Sequence, residues 1–273
     1  MQKGIKFRIY PNKEQQHIIN QTLGCCRLIY NKGLAMRNEA YDNGYKIGYS
    51  QASAMLTELK RCEEFAFLNV VDSIALQQSL RDLDRGFVNF FHKRAAHPTF
   101  KSKHNRHQSY RTVNQRDTIR IVGRYIKLPK LGFVKIRQSM EVGTINHVTV
   151  EHTPTDKYFA VLNVEFESQP RANNGGCIGI DVGIKEFYSD SNGTAMPNPK
   201  YHEKSMRKLI REQRKLSRKQ KDSNNRNKQR VKVALVHEKI TNQRNDFLQK
   251  QSTRLIRENQ TICIEQLNVR TMM

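Results

Sequence analysis

Two acidic residues in the sequence each end a short apolar segment, and both could take part in metal chemistry. Asp181 stands in CIGIDVG and Glu265 in TICIEQLNV, 84 positions later. Acidic groups at the ends of neighbouring strands can bind Mg²⁺ ions that activate a water and stabilise the leaving oxygen of a phosphodiester. Either acid alone is ordinary as a solvated or turn-capping residue. Together they predict a ribonuclease-H-type metal site.

The elements around these acids must bring them together. Residues 177–193 have the pattern of a strand, a turn and a second strand, and residues 261–269 that of a buried strand. Between them, residues 201–260 form a long helical region with a possible break near Asp222 to Asn225. The polar, Gly-rich segment 168–176 has the composition of a linker.

The helical region between the acids is strongly basic. It contains 18 Lys or Arg and 6 Asp or Glu, a net +12. Several of its cations recur every three or four residues, so one helical face could lie along a phosphate backbone. A solvated helix with mixed charge is the alternative. The predicted nucleic-acid-binding residues are Lys204, Arg207, Lys208, Arg211, Arg214, Lys215, Arg218 and Lys219.

A second basic tract follows the predicted third helix. Its cations are Lys93, Arg94, Lys101, Lys103, Arg106 and Arg111. Phe100 and Tyr110 stand among them and could stack on unpaired bases, although Phe100 could equally anchor the loop. The histidines of this tract have no acidic or Cys partner at metal-binding spacing. We therefore predict nucleic-acid binding here, and no metal site.

The first half of the chain changes pattern twice. Residues 3–9 alternate like a strand, and helical periodicity follows from Asn12, from near Ser50 and from Asp72 to Ala95. Residues 97–112 have the composition of basic coil, and period-two segments lie between 117 and 167. These segments predict an antiparallel sheet. If residues 3–9 join it, the helices form an insertion between its strands.

The overall charge favours a polyanionic partner. The 48 Lys and Arg exceed the 25 Asp and Glu by 23, which indicates a nucleic-acid-binding protein. Neither a membrane-spanning segment nor a signal peptide is recognisable, so a cytoplasmic, nucleoid-associated location is expected. The five cysteines show no C-x-x-C spacing, which predicts reduced, largely buried thiols and no zinc site within this chain.

Several segments resemble one family over almost the whole chain. They are GIDVGIKEFYSDSNG, the basic helical block, ICIEQLNV, GCCRLIYNKGL at 24–34 and HPTFKSK at 97–103. Together they resemble the TnpB (OrfB) proteins of bacterial insertion sequences, including their RuvC region. The resemblance implies a transposon-encoded, RNA-guided DNA endonuclease related to type V CRISPR effectors. Its partners would be a transposon-derived guide RNA and double-stranded target DNA.

The resemblance also implies an α/β multidomain fold. Residues 1–10 and 111–168 would form a β-barrel wedge module, and 11–110 a helical recognition insert of helix-turn-helix type. Residues 169–176 would link these to a partial RNase-H-like (RuvC) domain at 177–273 with long basic helices. By position, Asp181 matches the family's first catalytic carboxylate and Glu265 its second, and both would bind Mg²⁺.

The family's pattern continues beyond the equivalent of residue 269. It adds a further helix, a zinc ribbon with paired C-x-x-C motifs and a third catalytic Asp, which this sequence does not contain. We therefore expect weakened metal binding and weakened cleavage by these 273 residues alone. The alternatives are a nuclease-dead, RNA-guided DNA-binding repressor, a degenerate transposon remnant, or a transposase that itself joins DNA strands at a similar site.

Overall fold

The chain folds into two compact units, Met1–Ser168 and Gln169–Met273. The computed structural model describes residues 1–105, 107–167 and 175–266. Both units contain helices and strands, so the predicted mixed α/β class is confirmed. Most of the predicted linker, residues 168–174, lies outside the described residues.

The first unit is built on a seven-stranded antiparallel sheet. Its strands are β1 (Gln2–Tyr10), β2 (Gln108–Val113), β3 (Arg120–Val122), β4 (Tyr125–Leu128), β5 (Gly132–Arg137), β6 (Ile145–His152) and β7 (Tyr158–Glu165). Their order is β2-β6-β7-β1-β5-β4-β3, so the predicted N-terminal strand lies at the centre. The expected barrel is a curled half-barrel, in which β2 and β3 are the edges among the described strands.

Three α-helices lie between β1 and β2 in sequence, as the insertion hypothesis predicts. They are α1 (Lys13–Asp42), α2 (Tyr49–Arg61) and α3 (Ser73–Phe91), with a 3-10 helix at Glu63–Asn69 that the pattern does not predict. Asn12 and Gln15 form a capping box at the start of α1, because each side chain accepts the other's backbone N–H. The Gln15 amide also donates to the carbonyls of Leu131 and Phe133, which ties this helix to the sheet.

One core joins the helices to one face of the sheet. Ile9 of β1, Ile19 of α1 and Leu76 of α3 are fully buried in the same cluster. The coil prediction for residues 97–112 is wrong from Gln108 onwards, where β2 pairs with β6. The polar composition of this segment gives no sign that Thr112 is buried. Its hydroxyl donates to the Asp72 carboxylate instead of contacting water.

The second unit contains a four-stranded mixed sheet and a helical hairpin. The strands are β8 (Cys177–Asp181), β9 (Glu186–Asp190), β10 (Ala195–Pro197) and β11 (Thr261–Ile264), in the order β10-β9-β8-β11. Only β11 is parallel to its neighbour among the described strands. The helices are α4 (Tyr201–Ser217) and α5 (Asn224–Glu258). The predicted helix break is confirmed between them, whereas β10 is not predicted.

Two burial predictions fail. The last strand is not buried, since Ile264 is 73% exposed and Cys263 is also exposed. It is an edge strand among the described strands, and only Ile262 packs against the cluster of Ile178, Ile180 and Tyr188. The thiols divide similarly: those on α1 are buried, whereas Cys62, Cys177 and Cys263 are exposed, and all five are free.

Within the described residues, no helix is both long and apolar enough to cross a membrane.

Candidate active site and nucleic-acid interface

Asp181 and Glu265 lie at the same end of two neighbouring parallel strands. The pairing of β8 with β11 aligns Ile180 with Ile264. Continued by one residue, this register places Asp181, the last residue of β8, beside Glu265, the first residue after β11. Asp181 follows the buried Ile180 and is exposed, as is Glu265. The two predicted acids are therefore register neighbours at an accessible strand end.

The end of α5 fixes where β11 begins. The Gly176 carbonyl accepts the backbone N–H groups of Gln260 and Thr261 at 2.8 and 2.9 Å. One turn earlier in α5, the Arg254 guanidinium donates to the hydroxyl of buried Tyr188 on β9. These contacts join the end of α5 to the residue before β8 and to β9. They hold the start of β11 beside β8, in the register that brings Glu265 to Asp181.

The carboxylate pair suits a hard divalent cation but is incomplete as a ligand set. Mg²⁺ prefers oxygen ligands and is often bound through one or two carboxylates together with waters and substrate phosphates. Across residues 1–105, 107–167 and 175–266, no three His, Cys, Asp or Glu side chains group closely enough to bind a metal. The described residues thus provide two oxygen-donor side chains that fit Mg²⁺.

The basic face of α4 lies opposite its packed face. Leu209 is buried against Val236 and Ile240 of α5, which turns the intervening cations outward. All eight predicted cations of this region are exposed. The six on α4, here called the α4 ridge, are Lys204, Arg207, Lys208, Arg211, Arg214 and Lys215. Arg218 and Lys219 lie in the turn that follows.

A buried acid lies beside the α4 ridge. Glu212 packs into the hairpin, where its carboxylate accepts the Gln229 amide at 2.7 Å. It also lies 3.4 Å from both Arg211 and Lys215, which are partly neutralised. Hydrogen bonding from Gln229, with help from the two cations, lowers the pKa of Glu212 despite the opposing effect of burial. Other ridge cations, such as Lys208 and Arg214, form no ion pair within the described residues and are better placed for phosphates.

The second basic tract is divided between exposed and structural cations. Lys93, Arg94 and Lys103 are exposed, whereas the side chain of Arg111 is largely covered and forms an ion pair with Asp82 of α3. Arg106 lies outside the described residues. The described residues do not show all six cations on one surface, so their joint role in nucleic-acid binding stays a prediction.

Lys101 anchors its loop to α1. Its ammonium lies 4.0 Å from the Tyr30 ring centroid, a cation–π contact. Asn31 donates to the Lys101 carbonyl at 3.0 Å and accepts its N–H at 2.8 Å, a reciprocal pair that the sequence does not reveal. Burial lowers the pKa of Lys101, against the opposing influence of Asp82 and Cys26. These contacts bring the segments at 24–34 and 97–103 together in the fold.

The aromatic residues of this tract differ in availability. Phe100 is exposed and could contact a base, whereas Tyr110 is buried in the core of the first unit. The stacking role predicted for Tyr110 is therefore wrong, because its alternation along β2 turns it inward. His97 packs edge-on against Phe87 and Phe90 at 5.3 and 5.1 Å, in agreement with a structural role.

Sequence reasoning also misses a cavity beside Asp181. The residues directly after it, Val182 to Ile184, line an opening of about 420 Å³. Phe187 and Phe247 meet edge to face at 4.9 Å in its wall, and Arg244 adds a positive charge. Its residues come from three segments distant in sequence, so no local motif marks it.

Comparison with known proteins identifies the family of this chain. Residues 147–273 match OrfB of IS605, described as "Probable transposase", and residues 1–46 match that family's helix-turn-helix domain. A Streptomyces pristinaespiralis protein named "Putative RNA-guided DNA endonuclease" is 40% identical over 277 residues. This match covers 100% of the chain and 69% of that protein. The chain belongs to the OrfB family. The resemblance to TnpB (OrfB) proteins is thereby confirmed.

A second relative supports the assignment to the OrfB family, and one solved structure has a similar fold. The Escherichia coli K12 protein named "Putative RNA-guided DNA endonuclease InsQ" is 35% identical over 272 residues, covering 99% of the chain and 67% of that protein. The fold is also similar to that of Cas12f1 in a complex with a single-guide RNA and target DNA. That similarity has a TM-score of 0.50 at 12% identity and covers 98% of the chain and 81% of Cas12f1.

Proposed function

We propose that this OrfB-family protein is an RNA-guided DNA endonuclease with Asp181 and Glu265 in its metal site. The observation that carries the proposal is the parallel register of β8 and β11, which makes the two acids neighbours at an exposed strand end. The names of the two relatives point to the same activity. The fold similarity to Cas12f1 is compatible with it.

The residues of the site divide the work of phosphodiester hydrolysis. Asp181 and Glu265 would supply the negative charge that holds Mg²⁺ at the strand ends. When bound, Mg²⁺ promotes water attack and stabilises the leaving oxygen. The α4 ridge would position a nucleic-acid backbone, because its cations face solvent in a row. This division assigns catalysis to the sheet and most of the non-specific affinity to the helices.

The remaining parts follow the family layout. We assign residues 1–10 and 111–168 to a wedge module, 11–110 to nucleic-acid recognition, and 177–273 to part of a RuvC-like domain. A transposon-derived RNA would pair with the target strand, while the protein contacts duplex DNA and backbone. A nucleoid-associated location follows from the net charge of +23 and these partners.

Copurified RNA and matched targets provide the test. The full chain is purified with its RNA, the RNA is sequenced, and plasmids carrying or lacking the complementary sequence are incubated with Mg²⁺. Asp181→Asn and Glu265→Gln remove charge while preserving shape. Asp246→Asn is the matched control, because Asp246 is an exposed acid on α5 paired with Lys250. We expect cleavage of the matched plasmid only, at least about 100-fold weaker in both site variants and unchanged in the control.

Two outcomes would contradict parts of the proposal. Absence of a defined RNA, together with binding that ignores target sequence, would refute RNA guidance. Specific binding without cutting, in wild type and variants alike, would instead identify a nuclease-dead binder. A transposase would be recognised by joined DNA strands among the products.

A further inference from the structure

A large open cavity lies in the first unit, at the C-terminal ends of α1 and α3. It has a volume of about 650 Å³, which is in the range of small-molecule sites, and the loop after α1 forms one side. Three of the aromatic rings that line it are unusually accessible: Tyr41 is 75% exposed, Phe91 70% and Tyr45 54%. Exposed apolar surface of this kind commonly marks a binding site.

The rear wall of the cavity is a group of packed rings. Phe87 and Phe90 of α3 both pack against the edge of His97, and Phe91 lies 5.4 Å from Phe90. The apolar spacing along this helix continues to Phe90, which is typical of a core face, yet burial ends at Leu83. In contrast, Tyr41 and Tyr45 make no ring contact within the described residues. The cavity therefore has rings packed against one another on one side and rings without such contacts on the other.

Arg37 lines the same cavity and has an unused donor. Its side chain is only 8% exposed, it forms an ion pair with Asp84, and its guanidinium lies 4.8 Å from the centroid of the Phe87 ring. Its Nε is enclosed but has no hydrogen-bond partner in the part of the chain that the structure describes. A buried N–H without an acceptor is costly and rare. Because this Nε is enclosed, the Arg37 guanidinium would have to turn toward the cavity to meet an acceptor from a ligand, and that contact would relieve the cost.

We propose that this cavity binds an unpaired nucleobase of single-stranded RNA or DNA. A base offers flat faces for the exposed rings and carbonyl or ring-nitrogen acceptors for Arg37. Lys46 at the wall, and Lys93 and Arg94 just after α3, supply positive charge for the adjoining phosphates. The cavity also contains Asp42, while the Asp84 charge is balanced by Arg37. An acidic ligand without a flat apolar part would have no surface to stack on the exposed rings.

The site is independent of the proposed endonuclease activity, so either proposal can fail alone. The test uses the full chain and tetranucleotides carrying 2-aminopurine, in separate RNA and DNA arms, with abasic tetranucleotides as the comparison. Stacking in the cavity is expected to quench the probe. Tyr41→Ala and Phe91→Ala should abolish quenching and weaken binding about 5- to 150-fold, the range for loss of one stacked base.

Phe133→Ala is the matched control, because Phe133 is a 51% exposed aromatic on β5 outside this cavity. Quenching and affinity should persist in this variant, and the abasic tetranucleotides should bind wild type and all variants equally. Arg37→Lys keeps a cation beside Asp84 without the Nε donor, and affinity should fall about 3- to 10-fold.

Three results would overturn the proposal. One is quenching that survives in the Tyr41 and Phe91 variants. Another is quenching that disappears equally in the Phe133 control. The third is a wild-type dimer that Tyr41→Ala dissociates, because a second copy of the chain would then occupy the cavity. Binding in only one arm would identify RNA or DNA as the source of the base.

Discussion

Gly176 lies against the carbonyl of Glu258 at the junction of α5 and β11. A Cβ atom on Gly176 would be 2.8 Å from that oxygen and 3.2 Å from the Asn259 Cα. Both neighbours are backbone atoms, which cannot rotate away as a side chain can. The glycine thus permits the close approach that sets β11 alongside β8, and with it the pairing of Glu265 with Asp181.

Gly176→Ala should therefore disturb the second unit. The added methyl must displace the end of α5, at a cost of about 1–3 kcal/mol in the free energy of unfolding. Target cleavage should fall further than stability alone explains, because displacement of the α5–β11 junction moves Glu265 relative to Asp181. Urea unfolding followed by circular dichroism measures the first effect, and plasmid cleavage the second.

Gly179→Ala is the control for this change. Its Cβ would meet the Ser191 side chain at an ordinary 3.6 Å, so its unfolding free energy should change by less than about 0.5 kcal/mol. Equal destabilisation by the two alanines would show that Gly176 has no special part in the register.

Much of this arrangement is predictable from local patterns. The two apolar segments that end in Asp181 and Glu265 identify the strands, and the period of the basic helices identifies their exposed face. The parallel pairing of β8 with β11 is not local, since 84 residues separate the acids. The Gly176 contact and the Arg254 to Tyr188 hydrogen bond accompany this pairing, and only the folded chain reveals them.

Predictions failed where burial depends on partners distant in sequence. Ile264 is an apolar residue of the type found in cores, but it lies on an edge strand of the described sheet and remains exposed. Thr112 is a polar residue of the type found in loops, but it is buried because its hydroxyl can donate a hydrogen bond to the Asp72 carboxylate. Hydropathy alone cannot separate these cases, because it reports a residue's preference and not its neighbours.

Without metal, the neighbouring carboxylates of Asp181 and Glu265 should repel each other. Asp181→Asn should then raise the unfolding free energy by about 0.2–1 kcal/mol in EDTA, as expected when like charges on adjacent strands are separated. In Mg²⁺ the wild type should instead have the higher unfolding free energy, because only the wild type is stabilised by binding the ion. Urea unfolding in both buffers measures this, with Asp246→Asn as control. A variant less stable in EDTA would refute the repulsion.

Two glycines of α1 should respond oppositely to alanine. At Gly24 the nearest atom to an added Cβ is 4.0 Å away, so Gly24→Ala should gain about 0.8–1 kcal/mol of helix propensity. At Gly33 the Cβ would lie 2.9 Å from Leu80 Cδ2 and 3.1 Å from Leu83 Cδ2. Overpacking there costs about 1–3 kcal/mol and should cancel or exceed the gain. Thermal unfolding of both variants decides, and equal stabilisation would show that α1 and α3 do not pack closely at Gly33.

The α4 ridge cations that form no ion pair with Glu212 should dominate the salt dependence of nucleic-acid binding. Replacing Lys208 or Arg214 with alanine should reduce the slope of log affinity against log salt by about 0.7–0.9 for each phosphate that is no longer neutralised. Lys215→Ala should have a smaller effect, because Glu212 already partly neutralises that cation. Titrations of duplex DNA at several salt concentrations measure the slopes. Equal slopes for Lys208→Ala and exposed Lys13→Ala on α1 would show that the ridge is not the binding surface.

Glu212 should make the α4–α5 hairpin sensitive to acid. Its pKa in the folded chain lies below its ordinary value of 4.5, chiefly because Gln229 donates a hydrogen bond to the carboxylate. The unfolded chain therefore takes up the proton first as pH falls. The stabilisation is complete above about pH 4.5 and is lost as pH falls through the lower, folded pKa.

Glu212→Gln removes this dependence, so the difference in melting temperature from wild type should be constant above about pH 5 and shrink below about pH 4.5. Glu203→Gln is the control, because Glu203 is exposed and lies 4.0 Å from its only ion-pair partner among the described residues, Lys200. Melting curves between about pH 3 and 7 measure both differences. A Glu212→Gln difference that widens in acid would contradict the lowered pKa of Glu212.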